Sequence, residues 1–66
     1  MKLNLNGTLS EFQDVLNVDG LLENLKIEPG RVAVEVNMAI VKKQDYEKAM
    51  LKEGDSVEIV NFVGGG

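Results

Sequence analysis

A chain of 66 residues with 44% hydrophobic side chains builds one small domain around one aliphatic core. The net charge of −4 argues against nucleic acid as a main partner, because phosphate binding needs clustered cations. Cysteine and histidine are both absent, which excludes disulfides, thiolate metal sites and Ser-His or Cys-His nucleophiles.

Lys2-Leu3-Asn4-Leu5-Asn6 alternates with period two and predicts a half-buried strand. Asn6-Gly7 is a hairpin signal, since both residues tolerate positive φ, and the return strand runs from Thr8 to Phe12. Two registers are open. A two-residue turn pairs Leu5 with Thr8; a three-residue loop with Gly7 in the left-handed region pairs Leu5 with Leu9. The second is favoured, although it leaves Phe12 out of phase. Asn17 or Asp19 can cap a helix by accepting a bond from a free N–H of its first turn. Val18, Leu21, Leu22 and Leu25 follow at i, i+3, i+4 and i+7, one helical face. Gly20 weakens this helix by roughly 1 kcal/mol relative to alanine. Pro29-Gly30 ends the segment and starts a turn.

Residues 32–36 put three valines on one face of a strand and Ala33 and Glu35 on the other. Asn37 breaks it, and Ala39-Ile40-Val41 forms a short strand after the turn. Gln44 to Met50 reads as a short helix or helical turn, with Tyr46 and Met50 inward at i, i+4. Glu53-Gly54-Asp55 is a turn. The last strand runs from Ser56 to Phe62, with Val57 and Ile59 facing one way and Glu58, Val60 and Phe62 the other. This order predicts an α+β domain, a mixed β-sheet with one main helix packed on it and a short second helix. The β-grasp, or ubiquitin-like, fold satisfies it. The domain spans residues 1–62, and 63–66 form a flexible glycine tail.

The body of the domain offers little chemistry. Ser10 and Ser56 lack an activating base. Glu53/Asp55 and Asp45/Glu47 flank turns or a short helix, where carboxylates serve local hydrogen bonding. No calcium-loop spacing appears, and no helix follows Gly64 to Gly66 to make a phosphate cradle, so neither metal nor bound cofactor is expected. Lys42, Lys43, Lys48 and Lys52 read as a solvated polar face. No apolar run approaches the roughly 20 residues of a membrane span, and no signal peptide opens the chain, so the expectation is a cytoplasmic protein without a membrane partner. Val60 and Phe62, with Val63 beside them, are candidate docking residues if the helix covers the Val57/Ile59 face. A core wrapping both faces at the strand's end is the alternative.

The tail Val63-Gly64-Gly65-Gly66 is the remaining candidate. A terminal carboxylate is ionised at neutral pH and becomes a good acyl donor once ATP-driven adenylation supplies a leaving group. Glycine passes a narrow channel, and four extended residues reach roughly 13–14 Å. The plainer reading is a linker-like end. Against it stands the abrupt junction, where a buried-type strand from Val57 to Val63 meets glycine without a polar spacer.

These residues resemble the ThiS family of thiamine-biosynthesis sulfur carriers, essentially end to end. Leu5-Asn6-Gly7 is similar to the family's first hairpin, and Val18, Leu21, Leu22 and Leu25 to its helix. Val32 to Asn37 with Ile40-Val41 resembles its central strands. Glu53-Gly54-Asp55-Ser56-Val57-Glu58-Ile59 and Val63-Gly64-Gly65-Gly66 resemble its last two blocks, which together are the most specific. The resemblance implies a carrier, not an enzyme, whose Gly66 is adenylated by a ThiF-type adenylyltransferase using ATP. A sulfur donor system then converts it to a thiocarboxylate, which passes sulfur to a ThiG-type thiazole synthase. Gly65 and Gly64 complete the tail. Departures from the family pattern are Met38-Ala39 where glycine commonly follows the central asparagine, Lys42-Lys43 for a frequent Pro-Arg, and Gly20 for an early helical Glu. The rivals are a molybdopterin-type sulfur carrier and a ubiquitin-like binding module with an inert tail.

Overall fold

The computed structural model describes residues 1–62. Strands β1 (Lys2–Leu5) and β2 (Thr8–Glu11) form the first hairpin. Leu5 pairs with Thr8 across the two-residue turn Asn6-Gly7, whose φ values are 49° and 85°. The three-residue loop expected from the sequence is therefore corrected. The physical reason is the side-chain phase: the shorter turn turns Phe12 inward with Leu3 and leaves Leu9 outside. An aromatic ring gains more from burial than the leucine it displaces.

Helix α1 (Val18–Asn24) is capped by Asn17, whose Oδ1 accepts from the Gly20 N–H at 2.7 Å. A Cβ on residue 20 would lie 3.0 Å from that oxygen, so glycine leaves room for the cap where a larger residue crowds it. The helix stops before Pro29-Gly30. Lys26 takes φ 60°, its N–H donates to Glu23 O, and Ile27 N–H donates to Leu22 O. This is a Schellman ending with lysine in the place usually held by glycine, and Ile27 packs back on the core. Val18, Leu21 and Leu22 are fully buried, and Leu25 is partly so.

A 3₁₀ turn at Pro29–Arg31 leads into β3 (Val32–Val36), which turns through Asn37-Met38 into β4 (Ala39–Val41). Both turn residues have positive φ, 51° and 71°. A left-handed methionine costs about 1–2 kcal/mol through its Cβ, and Met38 is 90% exposed, so no packing offsets it. Met38→Gly should therefore raise stability by about 1 kcal/mol, less the extra freedom glycine gains when unfolded. In a domain of this size each 1 kcal/mol is about 4–8 °C in melting temperature, so the net gain is a rise of a few degrees. An unchanged or lower melting temperature would contradict the strain.

The expected helix over Gln44 to Met50 contracts to a 3₁₀ turn at Lys43–Asp45 with Lys48 and Ala49 N–H groups closing on Asp45 O. Tyr46 is inward as expected, its hydroxyl donating to Val32 O at 3.3 Å, and burial raises its pKa. Met50 is not inward: it is 60% exposed and forms an isolated bridge with Asn17, while Leu51 fills the core. Extended backbone at residue 50 breaks the helical spacing that would have placed it beside Tyr46.

Strand β5 (Ser56–Asn61) enters between the two hairpins and gives the sheet order β2-β1-β5-β3-β4. Its pairing is parallel to β1 and antiparallel to β3. The mixed sheet packs α1 on the face carrying Leu3, Val32, Val34 and Val57. This is the β-grasp arrangement expected from the element order. The last strand of the described chain is thus the central strand of its sheet.

Candidate functional site

The placement of β5 decides what surrounds its exit. Val57 is buried and Ile59 half-buried on the helix side, so period two directs Glu58, Val60 and Phe62 to the other face. Val60 and Phe62 are 59% and 56% exposed. A core wrapping both faces of the strand is thereby ruled out at these two positions. Phe62 N–H donates to Arg31 O at 2.9 Å, which carries the β3 pairing to the end of the described chain. Val63, Gly64, Gly65 and Gly66 lie outside the described residues.

The register builds the rest of this face. Ala33 of β3 stands opposite Val60, and Glu35 stands opposite Glu58. On its other side Glu35 faces Ile40 of β4, which is 76% exposed. Val60, Ala33 and Ile40 therefore flank two carboxylates set side by side, and Phe62 extends this face beside Arg31. Like charges directly opposite in a sheet are destabilising, so this pair detracts from folding. Sequence reasoning found Val60 and Phe62 from alternation alone. Ile40 and the Glu35–Glu58 pair needed the strand register, which has no local signal.

The other candidates serve architecture. Asp55 is nearly buried; Oδ1 accepts from Asn37 Nδ2 at 3.0 Å and Oδ2 from the Lys52 N–H at 2.8 Å. Glu53 Oε1 accepts from the Lys2 N–H at 2.9 Å. Ser10 Oγ donates to Thr8 O, and Ser56 is tied through its N–H to Asn37 Oδ1. Asp45 O closes the turn that positions Tyr46, and Glu47 O accepts from Asn17 Nδ2. Lys42, Lys43, Lys48 and Lys52 are exposed. Among the described residues no three acidic groups come together as a metal site, and no helix is long and apolar enough to cross a membrane. An open groove beside α1, lined by Asp19, Glu23, Ile27, Glu28 and Pro29, brings together carboxylates and apolar groups but no nucleophile with a base.

Residues 3–66, from β1 through the terminal glycines, match the model of the ThiS family. The chain belongs to the ThiS family. It is 38% identical to the sulfur carrier protein ThiS of Bacillus subtilis, over 97% of this chain and 98% of that protein. It is also 42% identical, along its whole length, to a thiazole synthase of Paramagnetospirillum magneticum, of which it spans 20%. Among solved structures it resembles the thiamine biosynthesis protein ThiS of Geobacter metallireducens, with a TM-score of 0.85, 36% identity and complete coverage of both chains. The family and fold expected from the sequence are those found.

Proposed function

We propose that this chain is the sulfur carrier for the thiazole moiety of thiamine and that Gly66 bears the sulfur. The observation that carries the reading is the family match, which reaches from β1 through the glycines. In this reading the Gly66 carboxylate attacks the α-phosphorus of ATP in a ThiF-type adenylyltransferase and expels pyrophosphate. A donor at the sulfide level then adds to the acyl carbon and expels AMP, leaving a thiocarboxylate. Adenylation is needed because attack on a free carboxylate would have to overcome its charge and expel oxide. The Val60/Phe62 face, with Ala33 and Ile40, is the surface by which the carrier is held while the reaction proceeds. Sulfur then passes to a thiazole synthase. Support for that acceptor comes from the synthase relatives that contain a segment similar to this whole chain.

The test is an intact-mass measurement after incubation with ATP, a ThiF-type enzyme and a sulfide-level donor. The expected product has one oxygen replaced by sulfur. A mass that never changes leaves a ubiquitin-like binding module with an inert tail. Deletion of the gene should cause thiamine auxotrophy; a molybdopterin deficiency instead would reassign the pathway.

A further inference from the structure

Strand β5 is gripped at two points by asparagine side chains, and each asparagine opens a two-residue turn at φ near 50°. At the start of the strand, Asn37 Oδ1 accepts from the Ser56 N–H at 2.9 Å. Three residues further along, Asn6 takes both backbone groups of one residue. Its Oδ1 accepts from the Ile59 N–H at 2.7 Å, and its Nδ2 donates to Ile59 O at 3.3 Å. The β1–β5 register ends at Leu5 and Val57, and the Asn6 N–H bonds Val57 O at 2.9 Å. Beyond that point the backbone of β1 turns away into Gly7, and the Asn6 amide stands in for one more residue of β1. Residues 60–62 are then held through β3, by Val60 against Ala33, Asn61 against Val32 and Phe62 N–H on Arg31 O.

Resting on the carrier reading, we propose that Asn6 is a positioning residue for the Gly66 reaction, fixing the direction in which β5 leaves the domain toward the activating enzyme. Ile59 is the last described residue of β5 gripped on both edges. A strand held on one edge can swing about that edge. Phe62 lies three residues past Ile59, about 10 Å along the strand, so a swing of about 3° moves the point from which the tail departs by about 0.5 Å. A misplacement of about 1 Å can cost about 100-fold in rate, so half of that is on the scale of tenfold. Asn6 borders the docking face beside Glu58, but its side chain bonds β5 only at the Ile59 backbone, so KM and kcat read capture and delivery separately.

The experiment is ATP–pyrophosphate exchange by a ThiF-type enzyme, with carrier concentration varied. Asn6→Gly keeps the turn and removes both side-chain bonds; Asn37→Gly removes the clamp at the other end of the same strand. Both are measured at a temperature where circular dichroism shows them folded. With Asn6→Gly, kcat should fall about tenfold while KM stays within about twofold, the scale of losing one to two hydrogen bonds. Exchange of the Ile59 amide hydrogen should also accelerate. Asn37→Gly should lower the melting temperature and leave kcat unchanged. Asn6→Asp keeps the acceptor but sets a carboxylate oxygen against Ile59 O, and should show the same kcat loss if Asn6→Gly proves too unstable. An unchanged kcat in both Asn6 variants, or an equal fall in Asn37→Gly, overturns the proposal. No exchange with the unaltered carrier would instead overturn the carrier reading itself.

Discussion

A variant carrying one further residue after Gly66 should fold as its parent does and accept no sulfur. The stability half of this expectation follows from where the core ends. Val57 is buried, Ile59 is half-buried, and Val60 and Phe62 are exposed, so a residue added after Gly66 removes none of the packing among the described residues. Substitutions away from such packing usually shift stability by no more than about 0.5 kcal/mol. The chemical half follows from the group that reacts on the carrier reading. An internal peptide carbonyl at Gly66 has no oxyanion with which to attack ATP, so no acyl adenylate forms and there is no AMP for sulfur to displace. The newly placed carboxylate belongs to a different residue, with a Cβ if it is not glycine, and has to pass a site suited to glycine. Amidation of the Gly66 carboxylate should have the same effect for the same reason. The measurement is intact mass with ATP, enzyme and donor, alongside a thermal melt of the same preparation. Sulfur found on the extended chain, with the fold unchanged, would sink the mechanism.

Legibility in the sequence followed how local each determinant is. The hairpins, α1 and β5 are readable because their signals lie within a few residues: alternation at Lys2 to Asn6, Val18 with leucines at i+3, i+4 and i+7, the valines of residues 32–36. The first hairpin's register was misread because turn chemistry permits both loops, and the decision rests on Phe12, which is settled by packing across the core. Met50 departs from helical spacing because the 3₁₀ turn ends before it, and its bridge to Asn17 links segments far apart in sequence. The candidate face shows the same division. Val60 and Phe62 follow from alternation within one strand, whereas Glu35 beside Glu58, and Asn6 on Ile59, are contacts between distant segments that no spacing rule announces.

On the carrier reading, Phe62→Asp and Val60→Asp should each weaken binding to a ThiF-type adenylyltransferase by about 100-fold while leaving the domain folded. Full burial of a side chain of this kind contributes about 1.5–3 kcal/mol, and these two are a little under half buried already. Roughly half of that gain is therefore lost on substitution. The larger loss comes from the new carboxylate, which an apolar interface would have to desolvate without a partner. Together these reach the ~2.7 kcal/mol that corresponds to 100-fold. In the free domain the same carboxylates stay in water, so the cost there is strand propensity, at most about 1 kcal/mol, together with the lost partial burial. Val60→Asp also sets a third carboxylate beside Glu35 and Glu58, so Phe62→Asp is the cleaner variant. Glu58→Lys separates docking from folding more sharply because its two effects have opposite signs. Opposite Glu35 it replaces a repulsion by an attraction, which should stabilise the sheet by about 0.2–1 kcal/mol. Against a partner whose docking surface is basic, the same change reverses a favourable charge and should slow association most at low salt. Calorimetric titration and thermal unfolding of the same variants read the two effects independently. Retained affinity in a folded Phe62→Asp variant would show that the partner approaches elsewhere on the domain.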